Sequence, residues 1–313
     1  RMQPVADGSD MMGSLRNPAA FNNLFGFRPS YGRVPSTGGD LFVEQLSVHG
    51  PMGRSVTDVA LLLSVMAGPH AGFPASIEQD PSRFAEPLQR DVGGARLAWL
   101  GDLDGYLPLE PGVRELCESA FAAFRDIGCS VEPARLDYPP EKLWESWLTL
   151  RHWLIASYLA PLYADPDKRS RIKPEARWEV EGGLGLTARE IYAASEVRSD
   201  AYRALQRLFE RYDFLLLPSA QVFPFDAEIH WPKSIDATGM DTYHRWMEVT
   251  VPASLAGCPV MSVPVGFHRD HLPMGLQIMG RSHADLSVLQ LAHAYDEATR
   301  WVQRVQPPLL TRD

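Results

Sequence analysis

The chain has 313 residues, enough for one large domain or two ordinary ones and for a substantial core. Hydrophobic residues make up 45% and charged residues 22%, which excludes disordered, collagen-like and disulfide-stapled classes. The formal net charge of −9, from 30 Lys and Arg against 39 Asp and Glu, argues against general nucleic-acid binding.

The first fifty residues are dense in glycine and proline, with Gly8, Gly13, Gly26 and Gly32 interleaved with Pro18, Pro29 and Pro35. That punctuation predicts tight loops rather than long elements. No strand or helix is expected before the loop at Gly8, so the chain is expected to begin partway through a domain. Asn17-Pro18 reads as an N-cap followed by proline at the first helical position. Arg54 to Gly68 predicts a helix: Val56, Val59, Leu63 and Met66 fall on one face, Ser55 caps it and Gly68-Pro69 stops it.

Further along, Ala95 to Leu100 predicts a strand, Pro111 to Asp126 an amphipathic helix, and Cys129 to Glu132 a second strand. That order is a right-handed crossover in a mixed or parallel sheet. Residues 139–256 read as a mostly helical, variable region that shapes the substrate site. Within it, Trp144, Trp147 and Trp153 share a helical run, and Thr187 stands in capping-box register with Glu190. Phe214 to Leu217 is a short apolar strand, and a helix is expected from about Thr242 to Leu255. Pro259 to Phe267 and Leu272 to Met279 read as a hairpin turning at His268 to His271. His283 to Arg304 closes the chain as an amphipathic helix. The fold class is α/β, a single mixed central β-sheet flanked by helices with a helical insertion in the middle.

Cys117 and Cys129, read as one helical run, are too far apart to bridge, and Cys258 has no evident partner. Three isolated thiols suit a reducing compartment. The apolar stretches fall short of the ~20 residues that cross a bilayer, and the first residues do not resemble a secretory signal. A cytoplasmic location without a membrane partner is expected.

His268 and His271 have no third ligand nearby in sequence, so no metal site is expected. His49, before Gly50-Pro51, reads as a turn residue or a base. The segment Asp7-Gly8-Ser9-Asp10-Met11-Met12-Gly13-Ser14-Leu15-Arg16-Asn17-Pro18 carries more chemistry. Its backbone N–H groups can converge where a helix starts, as a developing oxyanion requires, and the residues alone read either as an attacking Ser14 hydroxyl beside those donors or as a turn serine after a turn glycine, Gly13.

The phrases GSDMMGSLRNPAAF, FGFRPSYGRVP and HGPMGRSVTDVALLLSVMAG, with VPASLAGCPVMSVPVGF and LPMGLQIMGR near the end, resemble the amidase signature family in the family's own order. The resemblance implies that the chain is the C-terminal two-thirds or so of one amidase signature domain. Ser14 is then the nucleophile, the N–H groups of Met11, Met12, Gly13 and Ser14 form the oxyanion hole, and Asp10 and Arg16 brace the loop. Met12 departs from the family's glycine, so either the loop keeps a negative φ there or the donors sit differently. The family's bridging serine and lysine lie upstream of the nucleophile. Lys142, Lys168, Lys173 and Lys233 match neither, which places the proton relay on a missing N-terminal segment. The resemblance further implies hydrolysis of linear carboxamides without a cofactor, by a homodimer. Tyr243, Trp246 and Trp147 are the candidate substrate-binding residues. The alternatives are the glutaminase subunit of a tRNA-dependent amidotransferase and a non-catalytic member that keeps the fold.

Overall fold

Buried apolar strands and amphipathic helices dictate a sheet with helices packed on it, and the computed structural model, which describes residues 3–307, has that form. Its chain divides into two units, residues 1–136 with 206–313, and residues 137–205.

The larger unit is built on an eight-stranded sheet. Its strands are β1 (Val5–Asp10), β2 (Phe25–Arg28), β3 (Val48–Gly53), β4 (Arg96–Trp99), β5 (Ser130–Pro133) and β6 (Phe214–Pro218). A separate two-stranded ribbon, β7 (Ser234–Ile235) with β8 (Thr238–Gly239), precedes the last two strands of the sheet, β9 (Val260–Phe267) and β10 (Pro273–Met279). The order is β1-β3-β2-β9-β10-β6-β4-β5. Pairing is antiparallel from β1 to β6 and parallel across β6, β4 and β5. The sheet is therefore mixed, and the β4–β5 pair is the crossover expected between residues 95 and 132. Strand β1 runs through Gly8, where the sequence predicts only a loop, because it pairs with β3 along its whole length.

Helices cover this sheet: α1 (Arg16–Phe21), α2 (Val56–Met66), α3 (Val113–Ser119) and α4 (Phe121–Asp126) from the first half of the chain. Ser55 caps α2, its Oγ accepting from the Asp58 N–H at 3.1 Å, and Val56, Val59, Ala60 and Leu63 are buried. The single run expected from Pro111 to Asp126 is two short helices meeting at Ala120, and it starts at Gly112, whose φ of 97° only glycine adopts readily. Cys129 lies after α4 rather than on it, and Cys117, Cys129 and Cys258 are buried free thiols.

The smaller unit is helical: α5 (Pro140–Ala164), α6 (Pro166–Ser170), α7 (Pro174–Leu184) and the first part of α8 (Ala188–Phe209). The Thr187–Glu190 capping box forms, with the Thr187 N–H donating to Glu190 Oε2 at 2.7 Å and the Glu190 N–H to Thr187 Oγ1 at 3.3 Å. The helical region expected over 139–256 is thus divided. Residues 206–256 belong to the larger unit because β6, a continuous buried run, sits inside the sheet between β10 and β4.

After β6 come a 3₁₀ helix (Arg245–Thr250) and α9 (Val251–Ala256), then the β9–β10 hairpin. The closing helix is broken into α10 (Asp285–Thr299) and α11 (Trp301–Arg304) at Arg300, whose φ is 52°. No helix among the described residues is long and apolar enough to cross a membrane.

On α10, Asp296 is buried and its Oδ2 accepts from the Val56 N–H at the start of α2, at 3.4 Å. Burial first, and the nearby Glu297 charge, push its carboxyl up to about 6, against the opposing pull of the Val56 N–H and Arg300. The native state therefore holds this proton more tightly than the unfolded chain, so stability falls as pH rises from about 4 to about 6 and stays reduced above. Asp296→Asn keeps an acceptor for Val56 and cannot ionise. It is expected to raise the Tm by a few degrees at pH ~8 and to leave it nearly unchanged at pH ~4; equal shifts at both would contradict this account.

Candidate active site

The loop after β1 is organised by one carboxylate. Asp10 ends β1 with no solvent exposure, and a buried carboxylate is tolerated only when charge and hydrogen bonds surround it. Its Oδ1 accepts from the Gly13 N–H at 2.7 Å and from Arg16 Nη2 at 2.9 Å. Its Oδ2 accepts from the Leu15 N–H at 3.2 Å and from Arg16 Nε at 3.0 Å. Arg28, also fully buried, donates through Nη1 to both the carbonyl oxygen of Asp10 and its Oδ1. Burial works against the Asp10 anion, but the Arg16 and Arg28 charges and the Gly13 N–H outweigh it and hold the carboxyl well below the usual carboxylate range.

The arginines extend this core into the rest of the sheet. Arg16 Nη1 donates to Gln277 Oε1 on β10 at 2.7 Å and to the Thr250 carbonyl at 2.9 Å, and Nη2 donates to Ser254 Oγ at 2.8 Å. Arg28 Nη2 reaches the Leu46 carbonyl at 3.0 Å. Asp10 thus ties the Gly13 and Leu15 N–H groups to Arg16. Arg28, Thr250, Ser254 and Gln277 complete the cluster and were missed. Arg28 left one signal, a charged residue at the end of the apolar strand Phe25-Gly26-Phe27; the others lie more than 200 residues away and left none.

Within the loop, Met11 is half-buried, Met12 is 3% exposed, Gly13 is buried and Ser14 is exposed. The left-handed conformation falls on Gly13, with φ 85°, and not on Met12, so the methionine is accommodated at a negative φ. A Cβ at Gly13 would fall 2.1 Å from Asn17 Oδ1 and 2.9 Å from Thr250 Cγ2, so glycine is required by space as well as by φ. The Gly13 N–H points at Asp10 and is not available to a substrate oxygen. The N–H groups of Met12 and Ser14 donate to no described residue.

Helix α1 begins at Arg16, with Leu15 rather than Asn17 as its N-cap. The reason is local: the Asn17 N–H closes the first turn onto the Gly13 carbonyl at 2.7 Å. Its side chain leaves the cap role and donates from Nδ2 to the Ser219 carbonyl at 2.8 Å.

The candidate substrate residues divide. Tyr243 and Trp246 lie in the same unit as Ser14, just before Thr250. Trp246 is 7% exposed, stacked on Phe21 at the end of α1 with ring centroids 6.2 Å apart, and edge-on to Phe225 at 5.4 Å. Tyr243 is half-buried beside Trp231 and His230. Trp147 belongs to the helical unit and is fully buried, stacked on Trp144 with the Arg151 guanidinium 5.3 Å above its ring. A tryptophan at helical spacing is packed in the core of its own unit here.

His49, paired with Ser9 across β1–β3, is exposed. His268 Nδ1 lies 3.2 Å from Asp270 Oδ2 at the hairpin turn. All four lysines, Lys142, Lys168, Lys173 and Lys233, are exposed; Lys168 pairs with Asp165, and the Lys233 amine sits 3.1 Å from the centroid of the Trp231 ring.

The mixed sheet thus carries an exposed serine above a buried acid–arginine cluster, with the Met12 and Ser14 main-chain N–H groups beside it. The family model for Amidase matches residues 1–289, and the chain belongs to the amidase signature family. It is 32% identical to a glutamyl-tRNA(Gln) amidotransferase subunit from Symbiobacterium thermophilum, over 95% of this chain and 64% of that protein. It is 29% identical to an acylamidase from Rhodococcus erythropolis, over 96% of this chain and 62% of that protein. Its structure resembles that of a bacterial aryl acylamidase of the same family, with TM-score 0.86 and 26% identity over 96% of this chain and 63% of that one. The chain thus spans somewhat under two-thirds of the length of these relatives.

Removing the Asp10 charge strands two buried guanidinium groups. Asp10→Asn is expected to lower the unfolding free energy by about 3–5 kcal/mol in urea denaturation. A loss below about 1 kcal/mol, the range of exposed pairs, would show that Asp10 does not hold the loop.

Proposed function

We propose that the protein is a serine amidohydrolase with Ser14 as its nucleophile. The observation that carries this reading is an exposed hydroxyl on a loop whose conformation is set from beneath by Asp10, Arg16 and Arg28. Among Met11, Met12, Gly13 and Ser14, the donors that meet the oxyanion are the N–H groups of Met12 and Ser14, while Gly13 shapes the loop through its bond to Asp10.

The chemistry runs through an acyl-enzyme. Ser14 Oγ attacks the amide carbonyl as its proton passes, through a bridging serine, to a neutral lysine. The tetrahedral oxyanion rests on the main-chain donors, the amine leaves with the returned proton, and water releases the acid. A lysine neutral near pH 7, far below its ordinary ~10.4, has to be buried. The four lysines here are all exposed, so the relay comes from polypeptide beyond these 313 residues. No cofactor takes part in this scheme, and the three buried free cysteines suit action in the cytoplasm.

Tyr243 and Trp246, with Phe21 and Phe225 around the latter, favour an apolar or aryl acyl or amine group in linear carboxamides. The structural likeness to an aryl acylamidase supports the same class. A second reading, the glutaminase subunit of a tRNA-dependent amidotransferase, is favoured by the 32% identity to the Symbiobacterium amidotransferase protein. Purification separates the two: an amidase of this reading runs alone or as a homodimer, whereas the glutaminase co-purifies with two other subunits.

Ser14→Ala is expected to reduce hydrolysis of aryl amides by at least about 10⁴-fold and to abolish labelling by a fluorophosphonate probe. A variant that keeps most of its rate removes Ser14 from the mechanism. In a panel of aliphatic, aromatic and short polar amides, preference for acetamide-sized substrates would contradict the aryl assignment.

A further inference from the structure

Asn17 carries a feature that α1 alone does not explain. Its side chain is 4% exposed, and its Oδ1 is buried without a hydrogen-bond donor among the described residues. A buried carbonyl left unpaired costs stability. The amide nevertheless sits at the centre of two ties. Nδ2 donates to the Ser219 carbonyl just past β6, and Oδ1 faces Gly13, where a Cβ would come within 2.1 Å of it. The main-chain N–H of the same residue holds the Gly13 carbonyl at 2.7 Å.

We propose that Asn17 is a positioning residue for the oxyanion loop, a second, uncharged tie that fixes Gly13 against the end of β6 and so aims the Met12 and Ser14 N–H groups. Gly13 is held on its N–H side by Asp10 and on its carbonyl and Cα sides by Asn17. Both ties reach the same place in the sheet. The Asp10–Arg16–Gln277 line ends at the Pro218 carbonyl, to which Gln277 Nε2 donates at 2.8 Å, and the Gly13–Asn17 line ends one residue later at Ser219. Ser219 is itself held, its N–H donating to the Gly275 carbonyl at 2.9 Å and its Oγ lying 2.7 Å from Ser262 Oγ. Strands β6, β9 and β10 therefore supply a rigid reference for the loop. The proposal rests on Ser14 as the nucleophile for its catalytic consequence, and its structural consequence stands without it.

Asn17→Leu in the catalytically complete protein separates positioning from packing. A purely structural residue would leave the folded variant active. The tie predicts a Tm lowered by no more than a few degrees as the Ser219 carbonyl loses its donor, a KM within about twofold, and kcat lowered about 10- to 100-fold, the cost of a small misplacement of the reacting groups. Hydrogen exchange at the Gly13 N–H should rise at least about tenfold in the same variant. A kcat within about twofold of the parent, or unchanged exchange at Gly13, overturns the proposal. If Asn17→Leu does not fold, Asn17→Asp serves, because only its protonated carboxyl can donate to the Ser219 carbonyl. Its rate relative to the parent should then recover as pH falls, and a pH-independent ratio overturns the tie. A parent that neither hydrolyses amides nor reacts with the fluorophosphonate defeats the Ser14 reading, and the exchange measurement still decides the role of Asn17.

Discussion

Asp10 sits at the end of an edge strand with two guanidinium groups and two main-chain N–H groups converging on its carboxylate, all out of contact with water. Such a group is strongly destabilising when any partner is lost, because the charges that remain have no solvent to turn to. The geometry of the following four residues is therefore not free. With the Gly13 N–H drawn inward and the chain reversing at φ 85°, Ser14 is left outside and the helix α1 begins beneath it. A surface loop is anchored by a buried ion cluster.

The cluster also explains why distant segments converge here. Gln277 on β10, Thr250 and Ser254 around α9, and Leu46 in the loop before β3 supply acceptors to Arg16 or Arg28, Ser254 to both. Five donors on a planar guanidinium need that many partners when no water is present, and the sheet order that places β2 beside β9 and β9 beside β10 brings them together. Fold and site are thus one construction. The aromatic group around Trp246 lies in the segment immediately before Thr250, so the elements that brace the loop also lead into the residues proposed to recognise substrate.

Much of the architecture was legible wherever a local rule decided it. Ser55 begins α2 because its hydroxyl can take the Asp58 N–H, and Thr187 with Glu190 opens α8 by the same reasoning. The β9–β10 hairpin and the β4–β5 crossover follow from apolar runs between turns and an amphipathic segment. What escaped was set by tertiary partners. Strand β1, Val-Ala-Asp-Gly-Ser-Asp, has no apolar alternation, with half of its residues exposed, and it forms through pairing with β3. Asn17 has the composition of a helix cap, yet the bond from its N–H to Gly13 starts the helix earlier and turns its side chain to Ser219. Trp147 and Trp246 look alike in sequence; one is core in the helical unit and the other packs against the end of α1. The loop at Ser14 stood out only by resemblance, since a serine after a glycine in a turn has no distinguishing chemistry alone.

The central claim, that a buried carboxylate draws the Gly13 N–H inward and leaves Met12 and Ser14 to receive negative charge, is tested most directly by a crystal structure of the catalytically complete protein with a covalent phosphonate adduct. The account predicts phosphorus bonded to Ser14 Oγ, with the phosphonyl oxygen about 2.7–3.1 Å from the N–H groups of Met12 and Ser14 and the Gly13 N–H still on Asp10. An adduct on another residue, or a Gly13 N–H rotated away from Asp10 to meet the phosphonyl oxygen, would contradict it.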